Sequence, residues 1–275
     1  MRVKVLVTVL TYPCPSRKYV ETVCTAGVTE EGNWVRIYPL RLRMVDRDIH
    51  KWHWYEFELE QRPMSKDVRR ESFHCLQIPV AACGMVGTDD CWWQRRRYCV
   101  ENVSLFTSFS KWEHAIEYKK GERPMSLGTF KPAKITGFEA KPVDISKMEE
   151  KKKEILAFLH SEMVLFDEED RNQYWEMAES IPYRFYYEMC DDEGVKKRLM
   201  IEDWELFALF LKLKKEHNEK IALEQVRKKY YEEFSRKDLF FFLGTRMKDQ
   251  VMHHPNPYSI IGVFYPPRDD QYRLF

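Results

Sequence analysis

The chain has 275 residues, enough for one large domain or two small ones. Its 45 basic and 44 acidic residues leave a net charge of +1, which excludes a uniformly basic, histone-like binder; an anion-binding surface has to come from local clustering. No apolar run approaches the roughly 18 residues that span a bilayer, and residues 1–7 alternate charged and β-branched side chains like a strand, unlike a secretory leader, so cytoplasmic residence and no membrane partner are expected.

Residues 2–11 read as a strand, followed by Tyr12-Pro13-Cys14-Pro15-Ser16, a loop stiffened by two prolines. Residues 19–28 read as strand, Glu31-Gly32-Asn33 as a hairpin turn, and residues 34–39 as a strictly alternating strand. Val35 and Ile37 on one face belong to the core. Trp34, Arg36 and Tyr38 on the other have to be exposed or covered by a partner. Strand pattern continues over 51–61, 73–82 and 97–105; Ser110-Lys111-Trp112-Glu113 resembles a capping box, and 127–140 returns to strand. These short strands with frequent turns predict a β-rich domain over 1–143, a small barrel or sandwich.

The character changes near residue 144. Ser146 and Glu149 cap a helix over 147–162, a hairpin spans 182–201, and amphipathic helices cover 202–216 and 219–235. Strands are expected over 237–244 and 260–265. The expected class is α+β, with a helix-rich second domain over 144–275.

Two clusters combine guanidinium groups with aromatic rings, as binding to phosphates and unpaired bases requires. The first holds Arg36, Tyr38, Arg41, Arg43, Arg47 and Lys51 beside Trp52; the second is Trp93 with Arg95, Arg96 and Arg97. A solvated rim of internal ion pairs accounts for either cluster alone. Both lying in the strand-rich half favours a nucleic-acid surface. For acid–base chemistry the candidates are Asp67, Glu71 and Asp203. Asp67 and Glu71 bracket Arg69 as an internal salt-bridge network would, and Glu202, Asp203 and Glu205 open a helix, where its dipole favours acids. The seven cysteines lack the close pairs of a structural zinc site, His253-His254 diverge on regular backbone, and no cofactor motif is present; no metal or cofactor is expected.

Several segments together resemble a widespread family of poorly characterised bacterial proteins with dual OB-like barrels. They are Val23-Cys24-Thr25-Ala26-Gly27, residues 34–43, residues 67–72, residues 201–205, Phe242-Leu243-Gly244-Thr245 and residues 255–266. Arg70 stands where the family pattern has proline. The resemblance implies an OB-like N-terminal part and nucleic acid as partner, DNA favoured over RNA. It also implies a role in defence against phage or mobile DNA, alongside a neighbouring defence protein. It assigns no catalytic residue. Three readings follow: a nucleic-acid-binding module, a DNA-processing enzyme such as a glycosylase or nuclease, and a protein-interaction subunit.

Overall fold

The computed structural model describes residues 1–41, 49–77, 79, 82–162 and 177–268. Five strands close into a barrel: β1 (Arg2–Leu10), β3 (Val20–Val28), β4 (Trp34–Arg41), β6 (Ser72–Gln77) and β5 (His53–Gln61), in that order, with β5 pairing back onto β1. Neighbours are antiparallel except β4 and β6. Short β2 (Cys14–Ser16) adds to β3, and β7 (Gly84–Met85) adds to β5. Alternation fills the barrel. Val5, Val7, Val23, Val35, Ile37, Tyr55, Phe57 and Leu59 point inward and are buried together. Pro39 does not end β4. Pairing shifts register between Thr25↔Ile37 and Val23↔Leu40, and this bulge accommodates the proline.

The second half is organised around a sheet and is not helix-rich. Its seven strands run β10 (Lys134–Pro142), β11 (Tyr183–Cys190), β12 (Lys196–Ile201), β14 (Tyr258–Phe264), β13 (Phe240–Thr245), β9 (Leu127–Phe130) and β8 (Leu105–Phe106). Among the described residues no pairing joins β10 to β8, so this sheet stays open. Three of its strands precede residue 143. The sheets therefore divide before Leu105, because β9 and β10 pair with strands far along the chain. Residues 97–104 are not strand; of the expected span only Leu105 is, at the start of β8. Helix α1 (Asp89–Arg96) continues as a π-turn over Arg97–Glu101. The alternation of Tyr98, Cys99 and Val100 was a misleading signal, because all three pack sideways against the barrel and second sheet. Helix α2 (Phe109–Ala115) is capped by Ser108, whose side chain accepts from the Lys111 amide, two residues before the expected cap. Helix α3 (Ser146–Glu162) follows β10, and α4 (Trp204–Glu216) and α5 (Glu219–Arg227) form a pair. A short α6 (Met247–Val251) joins β13 to β14.

Three layers result. The barrel's outer face lies on one side of the second sheet, and α4 and α5 lie on the other. Strand β13 is buried on both faces. Phe240 and Phe242 meet Leu6, Val9, Trp34 and Trp54 of the barrel, while Phe241 and Leu243 join the helix-side core with Phe207, Phe210 and Val226. Trp34 is thus covered by the chain's own second sheet, its ring 5.3 Å from Phe242. Gly27 sits where β3 crosses β1 so closely that a Cβ would fall 2.1 Å from the Leu6 carbonyl oxygen. Backbone cannot yield there. Gly27→Ala is expected to lower stability by about 1–3 kcal/mol, read as a shifted urea midpoint with an unchanged slope.

Candidate functional site

Where the barrel meets the second sheet, a pocket of about 290 Å³ remains open. Strands β3 and β4 supply Cys24, Arg36 and Tyr38, the loop after β1 supplies Thr11, and the loop between β5 and β6 supplies Arg62, Lys66, Asp67 and Arg69. The second sheet closes it with Glu202, Gly244, Thr245, Arg246 and Ile261. Five cations thus line the pocket against two carboxyls.

Two of the cations are already neutralised. Arg69 grips Asp67 through Nε (2.9 Å) and Nη2 (2.7 Å), and its Nη1 donates to the Thr245 carbonyl of β13 (2.9 Å). Ser72 also donates to Asp67 (2.6 Å). Arg246 pairs with Asp249. Arg36 is different. It is only 3% exposed, and among the described residues no carboxylate lies within ion-pair distance. Its Nη1 donates to the Cys24 sulfur (3.2 Å) and its Nη2 to the Ser126 carbonyl (3.1 Å), while its Nε is buried with no partner. Desolvation pushes its pKa below the ordinary arginine value, with Arg69 adding repulsion and Cys24 and Glu71 acting against the shift. A buried, unpaired charge is costly, and a bound anion is the usual compensation. Arg62 donates to the Tyr38 carbonyl (3.0 Å), and Lys66 is exposed. Glu202 is half-buried, and its carboxyl is raised above the usual range by burial, with Arg246 and Arg36 acting against the shift.

Asp67 gives the pocket a pH signature. Burial alone would raise its pKa, but Arg69 and Ser72 outweigh burial and hold it at about 2, below the ordinary 3.8. The unfolded chain takes up this proton first as pH falls, so the stabilisation is complete above about pH 4 and drains away between about 4 and 2. The difference in unfolding free energy between wild type and Asp67→Asn is expected to shrink by about 2 kcal/mol across that window, measured by urea titration at each pH.

The proposed acid–base residues are each engaged by partners within the fold. Asp67 is locked as described. Glu71 accepts from Ser126 (2.9 Å) and Arg70 (2.9 Å). Asp203 is fully buried, caps α4, accepts from the Val263 amide (2.9 Å) and pairs with Lys51 at 2.7 Å. The proposed basic aromatic surface does not assemble as one face either. Lys51 lies between Asp203 and Glu205, and Arg36 turns into the pocket. Trp52 packs on Phe264 beneath the Arg95 guanidinium, which lies 4.3 Å from its ring centre. Arg95 is itself buried and donates to the Val86 carbonyl, and Arg96 pairs with Asp238 at 2.6 Å. Tyr38 is half-buried at the pocket wall; Trp93 and Arg97 are exposed and contact each other. Arg41 ends β4, but its side chain, like Arg43 and Arg47, lies outside the described residues. Of the predicted residues that are described, only Arg36, Tyr38 and Asp67 meet in the pocket. Arg62, Lys66, Arg69, Glu202 and Arg246 join them unforeseen as binding residues. The available signal was convergence: all six segments that carry the family resemblance supply lining residues.

No helix among the described residues is long and apolar enough to cross a membrane. No curated protein matches the chain. Residues 1–102, which hold the whole barrel, match the model of a domain of unknown function (DUF8758). Residues 109–275 match a second model, and the chain accordingly belongs to the family described as a domain of unknown function (DUF8757).

Proposed function

We propose that the chain binds nucleic acid and that a backbone phosphate sits against Arg36 in this pocket. The carrying observation is the buried Arg36 guanidinium, which among the described residues has no carboxylate within ion-pair distance and whose Nε is unpartnered. The barrel supports the same reading. Counting only its five strands, β3 and β4 are the second and third, and OB-like barrels bind oligomers on that strand pair and through the loops after strands one and four. Those are the elements that supply Thr11, Cys24, Arg36, Arg62, Lys66 and Arg69. Oligosaccharides use such faces too; the excess of cations favours a polyanion.

An enzyme acting on the bound strand is the second reading, favoured by Glu202, the pocket carboxyl not held by Arg69. Action against phage or mobile DNA, beside a neighbouring defence protein, rests on the family resemblance, and cytoplasmic residence on the strand-like residues 1–7. The test is incubation of the pure chain with single- and double-stranded DNA and RNA across a salt series, measuring retention and product. Retention that weakens with salt, without product, supports a binding module; product that disappears in Glu202→Gln supports the enzyme. No retention at low salt contradicts both.

A further inference from the structure

A second basic concavity lies at the opposite end of β13, and none of the readings above uses it. It is a groove of about 530 Å³ lined by Lys131, Lys134, Lys237, Arg268 and Asp238, with Pro132, Ala133, Ile135, Ser235 and Leu239 as its floor and walls. The single carboxylate is already countered twice, by Arg96 at 2.6 Å and by Lys131 at 2.7 Å. Although burial alone would raise its pKa, those two cations hold Asp238 below the ordinary carboxylate range. Lys134, Lys237 and Arg268 have no carboxylate within 4.0 Å among the described residues. Among the described residues Arg268 donates only to the Ser235 carbonyl, at 3.4 Å. Among the described residues these side chains leave a net positive groove in a protein of net charge +1.

We propose that this groove is a second contact for the same nucleic acid, holding backbone phosphates through Lys134, Lys237 and Arg268. This rests on the nucleic-acid reading of the Arg36 pocket. The lining contains no aromatic ring, so the groove offers nothing for a base to stack on and grips the strand without regard to sequence. The groove touches the Phe240 end of β13, and the pocket touches its Thr245 end. Six residues at about 3.3 Å each separate the two by roughly 20 Å. Two contacts that far apart suit an extended strand of several nucleotides, within the ~4–16-nucleotide range of OB-type sites.

The test compares three proteins by fluorescence anisotropy with a labelled poly-dT strand of roughly 20 nucleotides: wild type, Lys134→Gln/Lys237→Gln/Arg268→Gln, and the charge-matched control Lys147→Gln/Lys215→Gln/Lys220→Gln on exposed helical positions. Three lost phosphate contacts lower the salt slope by about 2, which weakens binding roughly a hundredfold at 0.1 M salt and lets affinities converge near 1 M. The control triple is expected to keep the wild-type slope, and the groove triple to keep the wild-type melting temperature. A groove triple with wild-type affinity and slope overturns the proposal, and so does an equal loss in the control. If Arg36→Met weakens binding while the groove triple does not, only the groove falls; a wild type that retains no strand removes both.

Discussion

Replacing Asp203 with alanine is expected to cost about 3–5 kcal/mol, enough to consume a large part of an ordinary domain's stability. Three contacts disappear at once. Asp203 pairs with Lys51, accepts the Val263 amide of β14 and caps α4. The Lys51 side chain is 9% exposed, and its pKa is raised because Asp203 and Glu205 outweigh the opposing effect of burial. Without Asp203 the ammonium keeps only Glu205, at 3.1 Å, which is itself about half exposed. Asp203→Asn retains a cap and an acceptor and is expected to recover part of the loss. Equilibrium unfolding in urea, with calorimetry for the melting temperature, reads both variants. A loss below about 1 kcal/mol for the alanine variant would contradict this account of the strand–helix junction.

Arg69→Met is expected to fall in the same range, about 3–5 kcal/mol, because it strips the buried Asp67 carboxylate of its counter-ion. Asp67 would retain Ser72 and the residue 69 amide, donors that do not cancel its charge. The link from the β5–β6 loop to the Thr245 carbonyl would also go. Arg69→Lys is expected to rescue little, since one ammonium cannot replace three directed donors. The pH signature supplies an internal control. With Arg69 gone, the acid-dependent loss of stability between about pH 4 and 2 should flatten, since the main counterweight to burial at Asp67 is then missing.

Local pattern made the barrel legible. In β4, alternation alone separates Val35 and Ile37, inside, from Trp34, Arg36 and Tyr38, outside. It did not reveal what covers the outer face, because the covering strands β13 and β14 lie some 200 residues later in the chain. The same distance hid the sheet boundary. β9 reads as a strand from its own residues, yet its pairing with β13 is a property of the whole fold. The run Phe240-Phe241-Phe242-Leu243 has no alternation for a good reason, since both of its faces are buried. The rings and arginines of 92–97 were legible as a cluster. Their use as internal packing was not: Arg95 over Trp52 and Arg96 on Asp238 pair partners 40 or more positions apart. Glu202 was read as an ordinary acid at a helix start, but α4 begins at Trp204 with Asp203 as its cap, leaving Glu202 before the helix and in the pocket.

The most direct measurement is the affinity of Arg36→Met for a single strand across salt. Among the described residues Arg36 has no ion-pair partner to orphan, and the Ser126 carbonyl it leaves still accepts the Thr245 amide at 2.9 Å. Its removal is therefore expected to change stability by less than about 1 kcal/mol, in contrast to Arg69→Met. Loss of a charge-assisted bond to phosphate should weaken binding by about 1.5–3 kcal/mol, roughly 10- to 100-fold, and reduce the salt slope by about 0.7. A folded Arg36→Met protein with weakened, less salt-sensitive binding is the predicted result; one that binds like wild type would contradict the assignment of this pocket to phosphate.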